Sequence, residues 1–177
     1  MNRLKNQRVY LAGAMDRAID RGASWREDIT PFLNSLGIKV FNPLIKPTTV
    51  GLEDYHVGLM KKQLKENHQY DELSKMMKSI RSTDLRLVDI SDFIIVNLDI
   101  NIHACGTYEE ISLANRSKKP ILFHIEQGKQ NTPDWLFGAV PHEWFFSSWN
   151  DLKNYLISIN SDKDIDKKNR WQFFNYV

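Results

Sequence analysis

The sequence contains one cysteine, Cys105, and this alone excludes an intrachain disulfide framework. No apolar run approaches the roughly 20 residues that a membrane-spanning helix requires. Residues 1–8 are polar, without the apolar region that a signal peptide needs. The net charge of +2 is too small to predict binding to nucleic acid or to a membrane surface. We therefore expect a protein of the reducing cytoplasm that binds neither nucleic acid nor a membrane.

The composition is that of an ordinary globular protein, with 177 residues, 42% hydrophobic and 26% charged. This length predicts a single domain over residues 1–177, and the chain shows no internal repeat and no low-complexity segment. Short strand-like runs alternate with helical stretches. This alternation predicts an α/β fold, a flavodoxin-like or Rossmann-like domain with a parallel sheet of about five strands. Strands are predicted at 8–15, 38–41, 93–98, 120–125 and 144–146, and helices at 25–36, 107–115 and 151–159.

Two segments fall outside this alternation. Residues 44–83 are rich in Lys, Glu, His and Met, and helix-like stretches near 52–66 and 71–81 predict a helical insertion rather than a second domain. Apolar spacing in residues 85–90 predicts a separate short helix. The C-terminal tail, residues 170–177, has four aromatic side chains among its eight residues, so we expect it to be docked rather than free.

Polar residues gather where two of the predicted strands end. In a parallel sheet, ligands bind beyond the carboxyl ends of the strands. The first strand leads into Gly13-Ala-Met-Asp16, and the third ends in Asn97-Leu-Asp99 before the loop Gly106-Thr-Tyr-Glu-Glu110. A helix that opens at this loop presents free N–H groups and the positive end of its dipole. Gly13 and Gly106 either let a ligand approach the backbone closely or are plain turn glycines.

Each candidate catalytic residue also has a structural interpretation. Thr107-x-x-Glu110 is a capping-box pattern, in which the glutamate only bonds back to the start of the helix. Asp84 fits the N-terminus of a helix, where an acidic residue is common. Tyr10 lies on a predicted central strand, where a tyrosine is more often part of the core than of a catalytic site.

Two motifs, in this order, carry a family resemblance. Tyr10-Leu-Ala-Gly-Ala-Met-Asp16 and Gly106-Thr-Tyr-Glu-Glu-Ile111, followed by Ala114 and Lys119-Pro-Ile121, resemble the nucleoside 2-deoxyribosyltransferase family. The same superfamily includes the 2′-deoxynucleoside 5′-phosphate N-hydrolases. The resemblance is most specific over residues 84–125, where helix, strand, glycine-threonine loop, glutamate helix and strand follow in the family's order.

The resemblance implies roles for these residues. Glu110, four residues after the loop glycine, resembles the family's nucleophile, Asp84 the acid that faces the nucleobase, and Tyr10 the tyrosine that orients the nucleophile. The residues expected to bind substrate are Gly13, Asp16, Trp25, Asn97, Asp99, Asn101 and Gly106. The implied partners are a small-molecule nucleoside or nucleotide and a free nucleobase. Assembly as a homodimer or a larger homo-oligomer is also expected.

No cofactor and no metal are expected. The chemistry that the resemblance implies requires neither. His103 and Cys105 stand two residues apart near Asp99, but this spacing is not a recognised pattern of metal ligands.

Two departures from the family bear on recognition of the sugar's 5′ group. The family often has an acid or a serine two residues before the loop glycine, where it touches the sugar or its 5′ group, and this chain has Ala104 there. Asp99, Asn101 or His103 would have to take over that contact. The insertion, residues 44–80, has no counterpart in the family. The sequence therefore leaves nucleoside and nucleotide substrates open.

These residue types suit cleavage of an N-glycosidic bond. Positive charge develops on the anomeric carbon, and a carboxylate can trap that carbon as a covalent glycosyl-enzyme. Attack by a second nucleobase completes deoxyribosyl transfer, the function we predict, whereas attack by water completes hydrolysis, its close alternative. An aromatic lining from Trp25, Trp135 or the tail would exclude water. More distant alternatives are an NAD-type glycohydrolase and a non-catalytic nucleotide-binding module.

Overall fold

The computed structural model describes residues 2–45, 55–161 and 169–173, which form a twisted parallel sheet with helices around it. The strands are β1 (Arg8–Gly13), β2 (Lys39–Phe41), β3 (Phe93–Leu98), β4 (Ile121–Ile125) and β5 (Phe145–Phe146). The α-helices are α1 (Ala23–Ser35), α2 (Tyr55–Glu66), α3 (Tyr70–Ile90), α4 (Cys105–Arg116), α5 (Asp134–Phe137) and α6 (Trp149–Ser161).

The strands lie in the order β2-β1-β3-β4-β5, and every neighbouring pair is parallel. This confirms the predicted α/β class and the sheet of about five strands. The pairing of β1 with β3 runs from Val9↔Phe93 to Gly13↔Asn97. Gly13 and Asn97 therefore lie side by side at the carboxyl edge of the sheet, where the chain order changes direction and a ligand crevice is expected.

The central strands are apolar because both faces of the sheet are covered. In β3 the side chains from Phe93 to Val96 are fully buried, and every residue of β4 is buried. Helix α6 closes one face through Leu152, Leu156 and Ile159, which recur at helical spacing and are all buried.

Helix α3 differs from the expectation for this part of the sequence. The stretches predicted as separate helices at 71–81 and 85–90 form one continuous helix, because no glycine or proline interrupts it. Asp84 therefore lies in the body of α3 and not at the N-terminus of a helix. The second helical stretch of the insertion expected at 44–83 is part of α3, which runs on to Ile90 just before β3. Residues 46–54 of the insertion lie outside the described residues.

The described part of the aromatic tail packs against the chain's own core. Trp171 is buried, and its ring centroid lies 4.9 Å from that of Phe93. Its indole Nε1 donates a hydrogen bond to the Tyr155 hydroxyl at 3.1 Å. Residues 174–177 lie outside the described residues. Trp171 thus contributes to the core of the single chain, and assembly into a homo-oligomer stays a prediction.

Candidate active site

A buried tyrosine and a glutamate meet at the centre of the sheet. Tyr10 on β1 is only 1% exposed, and its hydroxyl donates a hydrogen bond to Glu110 Oε1 of α4 at 2.6 Å. Successive side chains of β1 point to opposite faces of the sheet, and Tyr10 lies on the face that α4 covers. The structure thus brings together two residues that lie a hundred positions apart in the sequence.

The start of α4 bears on the capping interpretation of Glu110. The helix begins at Cys105, two residues earlier than expected, with Ala104 as its N-cap and without a side-chain hydrogen bond at that cap. Thr107 is consequently a buried residue inside the first turn rather than the cap itself. Glu110 lies in the second turn, where its carboxylate reaches Tyr10.

The surroundings of Tyr10 keep its hydroxyl protonated. Burial raises the pKa of Tyr10 well above its ordinary value, and the negative charges of Glu110 and Asp84 raise it further. The phenol therefore acts as a hydrogen-bond donor to Glu110 at any physiological pH. A donated hydrogen bond of this kind fixes the orientation of the carboxylate and stabilises its ionised form.

A buried arginine, Arg26, binds backbone carbonyls near the carboxyl end of β1. It was not among the residues predicted from the sequence. Arg26 of α1 is fully buried, and its guanidinium donates to the carbonyl oxygens of Leu11, Gly13 and Gly22 at 3.2, 3.1 and 2.8 Å. Burial lowers its pKa to about 10, while the nearby Tyr10 acts in the opposite direction. Arg26 therefore stays charged at neutral pH.

The sequence does carry a signal for this arginine. Arg26, Ile29 and Leu33 lie at helical spacing on one face of α1, and all three are buried. An arginine on the apolar face of a helix is unusual and needs buried acceptors. That pattern marks Arg26 as a candidate structural or functional residue.

A cavity of about 810 Å³ opens beside Glu110, between the carboxyl edge of the sheet and helices α2 and α3. Five of the predicted site residues line it: Gly13, Asp16, Asp84, Gly106 and Glu110. Its volume lies in the upper part of the range for small-molecule sites, which is roughly 300–1,000 Å³.

Asp84 and Glu109 differ in their surroundings although both line this cavity. Asp84 is half-buried in the middle of α3 and close enough to Tyr10 for its charge to raise the pKa of that phenol. Glu109 is paired with the exposed Arg81, whose Nε donates to Glu109 Oε2 at 2.7 Å and holds the pKa of Glu109 below its ordinary value. Glu110, and not its neighbour, therefore faces the buried tyrosine.

The two candidate glycines have different surroundings. A β-carbon on Gly13 would lie 3.0 Å from the Asn97 carbonyl oxygen and 3.1 Å from the Trp25 ring, so close packing requires glycine there. A β-carbon on Gly106 would meet nothing within 4 Å. Packing accounts for Gly13, whereas Gly106 leaves open space on the cavity wall.

Four of the predicted substrate-binding residues lie outside the cavity lining and are engaged in other contacts. Asn97 Nδ2 donates to Glu126 at 2.8 Å, and the Trp25 ring stacks on Trp149 with centroids 5.5 Å apart. Asp99 Oδ1 accepts from the Asn101 backbone N–H at 2.9 Å and from Gln127 at 2.6 Å. Of the residues considered as replacements at the Ala104 position, His103 lines the cavity, as does Ala104 itself.

A second feature absent from the sequence interpretation is an ion pair across the cavity. Lys61 of α2 extends to Asp16, with its Nζ 2.5 Å from Asp16 Oδ1. The Lys61 side chain is only 8% exposed, whereas that of Asp16 is 62% exposed. Asp16, predicted to bind substrate, thus connects the loop after β1 to α2.

Two features are absent from the described residues. Within them, no group of three or more His, Cys, Asp or Glu side chains is arranged to hold a metal ion. None of the helices in this part of the chain combines the length and the apolar composition that crossing a membrane requires.

Solved structures resemble this chain to different degrees. A 2-deoxyribosyltransferase from Bacillus psychrosaccharolyticus matches with a TM-score of 0.56 at 18% identity, over 84% of this chain and 91% of that chain. A CMP N-glycosidase from Clostridium botulinum matches with a TM-score of 0.49 at 17% identity, over 86% and 99% of the two chains. A 2-deoxyribosyltransferase from Leishmania mexicana gives 0.44 at 15%, over 67% and 64%. No protein-family model and no curated protein matches the sequence.

The sheet order and the position of the cavity define an α/β protein whose candidate site lies at the carboxyl edge of a parallel sheet. More narrowly, the fold is that of a 2-deoxyribosyltransferase. The resemblance that the two sequence motifs predicted is confirmed at the level of the fold.

Proposed function

We propose that this chain is an enzyme that cleaves the N-glycosidic bond of a 2′-deoxynucleoside and transfers the deoxyribose to another nucleobase. The observation that carries the proposal is the hydrogen bond from the buried Tyr10 to Glu110 at the wall of the cavity. An oriented carboxylate beside a cavity is the arrangement that a glycosyl-transferring nucleophile needs. The shared fold with a 2-deoxyribosyltransferase supports the same assignment.

In the first half-reaction, a Glu110 carboxylate oxygen forms a bond to the anomeric carbon while the bond from that carbon to the base nitrogen breaks. The electron pair of this bond leaves with the base, and Asp84 takes up a proton before this step and donates it to the departing base. Tyr10 keeps its own proton and holds Glu110 in place. In the second half-reaction, a nitrogen of the acceptor base attacks the anomeric carbon, its proton passes to Asp84, and the bond from that carbon to Glu110 breaks and releases the carboxylate.

Hydrolysis is the second candidate, and the position of two aromatic residues favours it. Trp25 and Trp135 were expected to exclude water, yet neither lines the cavity, and Trp135 is 89% exposed. With water admitted, a water oxygen attacks the anomeric carbon of the glycosyl-enzyme, one water proton passes to Asp84, and the bond to Glu110 breaks to give free deoxyribose and the Glu110 carboxylate. The same nucleophile thus serves both reactions, and the acceptor decides between them.

The test is product analysis of the purified protein with a panel of 2′-deoxynucleosides and their 5′-monophosphates, with and without a second free base. We expect release of the original base, and formation of a new deoxynucleoside only when the second base is present. Base release that does not respond to a second base assigns the hydrolase. Turnover of NAD without turnover of any deoxynucleoside would indicate the glycohydrolase, and no turnover at all would leave the non-catalytic module.

We expect Asp84→Asn to slow cleavage of ordinary nucleobases more than cleavage of a substrate with an activated leaving group. An activated group departs without a proton, so the loss of the acid matters less for it. The ratio of the two rates, measured for the variant and the parent, checks this. Asp71→Asn, at an exposed position of the same helix, is the control. Equal losses on both substrates would remove the acid role.

A further inference from the structure

Two carboxyl groups line the same cavity, and the proposed reaction needs them in opposite states. Glu110 and Asp84 are both part of the lining. The nucleophile has to be ionised, whereas the acid has to carry a proton. Repulsion between neighbouring carboxylates favours protonation of one of them, but repulsion alone does not select which one. Another feature of the site has to direct the proton to Asp84.

The hydrogen bond from Tyr10 is the first feature that separates the two carboxyl groups. The Tyr10 hydroxyl donates to Glu110 Oε1 at 2.6 Å, which stabilises the ionised form of that group. A neutral phenol supplies one donor and no net charge. Repulsion between two carboxylates is an interaction of net charges, so a buried cation opposes it most directly.

Arg26 brings a permanent positive charge to the strand that carries Tyr10. Arg26 is fully buried, and its guanidinium donates to the carbonyl oxygens of Leu11 and Gly13 on β1. Its other acceptors are carbonyl oxygens in the turn before α1. Within the residues that the structure describes, no carboxylate forms an ion pair with it. Carbonyl dipoles do not cancel a net charge, and inside a protein that charge acts more strongly than it does in water.

The charge of Arg26 reaches both carboxyl groups, but unequally. Burial lowers the pKa of Arg26, and Tyr10, Glu110, Asp20 and Asp84 oppose this in decreasing order. Because such an interaction is mutual, Arg26 favours ionisation of Glu110 more than ionisation of Asp84. Burial also raises the pKa of Tyr10, the two carboxylates add to this, and Arg26 acts against it. The tyrosine, the arginine and the two carboxyl groups thus form one electrostatic cluster.

The charged groups on the neighbouring elements are engaged with each other or with solvent. Asp20 is exposed and accepts two backbone N–H groups at the start of α1. Between α3 and α4, Arg81 pairs with Glu109, and from α2 the buried Lys61 pairs with Asp16. None of the other charged side chains of the lining is fully buried, nor is its histidine; these are Arg17, Arg21, Lys62, Lys65 and His103.

We infer, resting on the proposed function, that Arg26 is a positioning residue of the reaction, whose buried charge keeps Glu110 ionised and so leaves the proton to Asp84. Arg26 does not line the cavity, so it acts through the two carboxyl groups and not on the substrate. Its hydrogen bonds to β1 hold the charge in a fixed place beside Tyr10. The charge and the hydrogen bonds are separable, because a lysine at this position keeps the first and loses most of the second.

The test compares Arg26→Gln, which removes the charge, with Arg26→Lys, which keeps it. The full-length proteins are labelled with carbon-13 at the glutamate side-chain carboxyl, and the Glu110 signal is identified by its absence from Glu110→Gln. An NMR titration then gives the midpoint of Glu110 ionisation without any turnover. We expect Arg26→Gln to raise this midpoint by about one pH unit, the lower end of the effect of a nearby opposite charge. Arg26→Lys should leave it nearly unchanged.

The pH dependence of kcat/KM should change in the same direction. Because the free enzyme needs Glu110 ionised, a higher midpoint means that activity is lost at a higher pH as the solution is acidified. The acidic limb of Arg26→Gln should therefore move upward, and that of Arg26→Lys should not. Arg86→Gln is the matched control, since it removes the same charge from an exposed position of α3 and should shift neither measurement.

Equal midpoints in Arg26→Gln and the wild type would overturn the inference. Equal shifts in Arg26→Gln and Arg26→Lys would also overturn it, because they would assign the effect to lost hydrogen bonds. Tyr10→Phe decides the matter if Arg26→Gln does not fold, since it keeps Arg26 and removes the hydrogen bond to Glu110. We expect Glu110 to stay ionised at neutral pH in that variant, and a protonated Glu110 there would contradict the role of Arg26. Failure of the proposed function looks different, because Glu110 then titrates as expected while the wild type cleaves no N-glycosidic bond.

Discussion

Glu110→Gln is expected to lower the rate of N-glycosidic cleavage at least about a hundredfold while the fold survives. The amide keeps the shape of the side chain and still accepts a hydrogen bond from Tyr10 through its carbonyl oxygen, so the packing around it is retained. It loses the negative charge that attacks the anomeric carbon. Rate measurements and the free energy of unfolding of the same variant separate a chemical role from a structural one.

Glu109→Gln is the matched control for this variant. Glu109 pairs with Arg81 at the surface, and an exposed pair contributes little to stability. The control should therefore leave both rate and stability nearly unchanged. If Glu109→Gln abolishes activity and Glu110→Gln does not, the assignment of the nucleophile is off by one position. If Glu110→Gln only lowers stability, the glutamate is structural.

The sheet was readable from the sequence because each central strand is a short, mostly apolar run. Phe93 to Leu98 and Pro120 to Ile125 have no competing periodicity, and both faces of a parallel strand are covered. The end of the helix predicted at 25–36 was also readable, because Gly37 follows it with a φ of 74°, a conformation that glycine adopts without strain. These signals depend on neighbouring residues alone, and the folded structure agrees with them.

The helical segment was less predictable because its boundaries depend on tertiary packing. Ser82-Thr83-Asp84 resembles the start of a helix, yet these residues lie inside α3, where packing overrides their weak individual preferences. A break was expected there, and none occurs. The position of Asp84 on the cavity wall follows from the continuous helix.

The candidate site was only partly predictable for a related reason. Gly13, Asp16, Asp84, Gly106 and Glu110 line the cavity because they follow strand ends or lie on helices that cross them. Asn97, Asp99, Asn101 and Trp25 also follow or face strand ends, but hydrogen bonds and stacking direct them elsewhere. Lys61 was missed because nothing in its own helix indicates that it reaches Asp16 across the cavity.

Arg26 is unusual in the sequence, as an arginine on the apolar face of a helix, and its contacts reach residues on two elements. One guanidinium connects the end of β1 to the start of α1 through the carbonyls of Leu11, Gly13 and Gly22. It also lies over the Trp25 ring, 4.5 Å from the centroid. The geometry of the cavity mouth therefore depends on a residue that does not line the cavity.

We expect Arg26→Met to lower the free energy of unfolding by about 3 kcal/mol, because it leaves buried carbonyl oxygens without their donor. Arg26→Lys should lower the free energy of unfolding less, since it keeps the charge. It should still lower it, because an ammonium group lacks the planar fork that reaches three acceptors. Denaturant midpoints at unchanged slope measure both losses. Arg86→Met, at an exposed position of α3, is the control and should unfold like the parent. If Arg26→Met matches that control, the guanidinium contacts contribute nothing net, and the cavity mouth is held by packing alone.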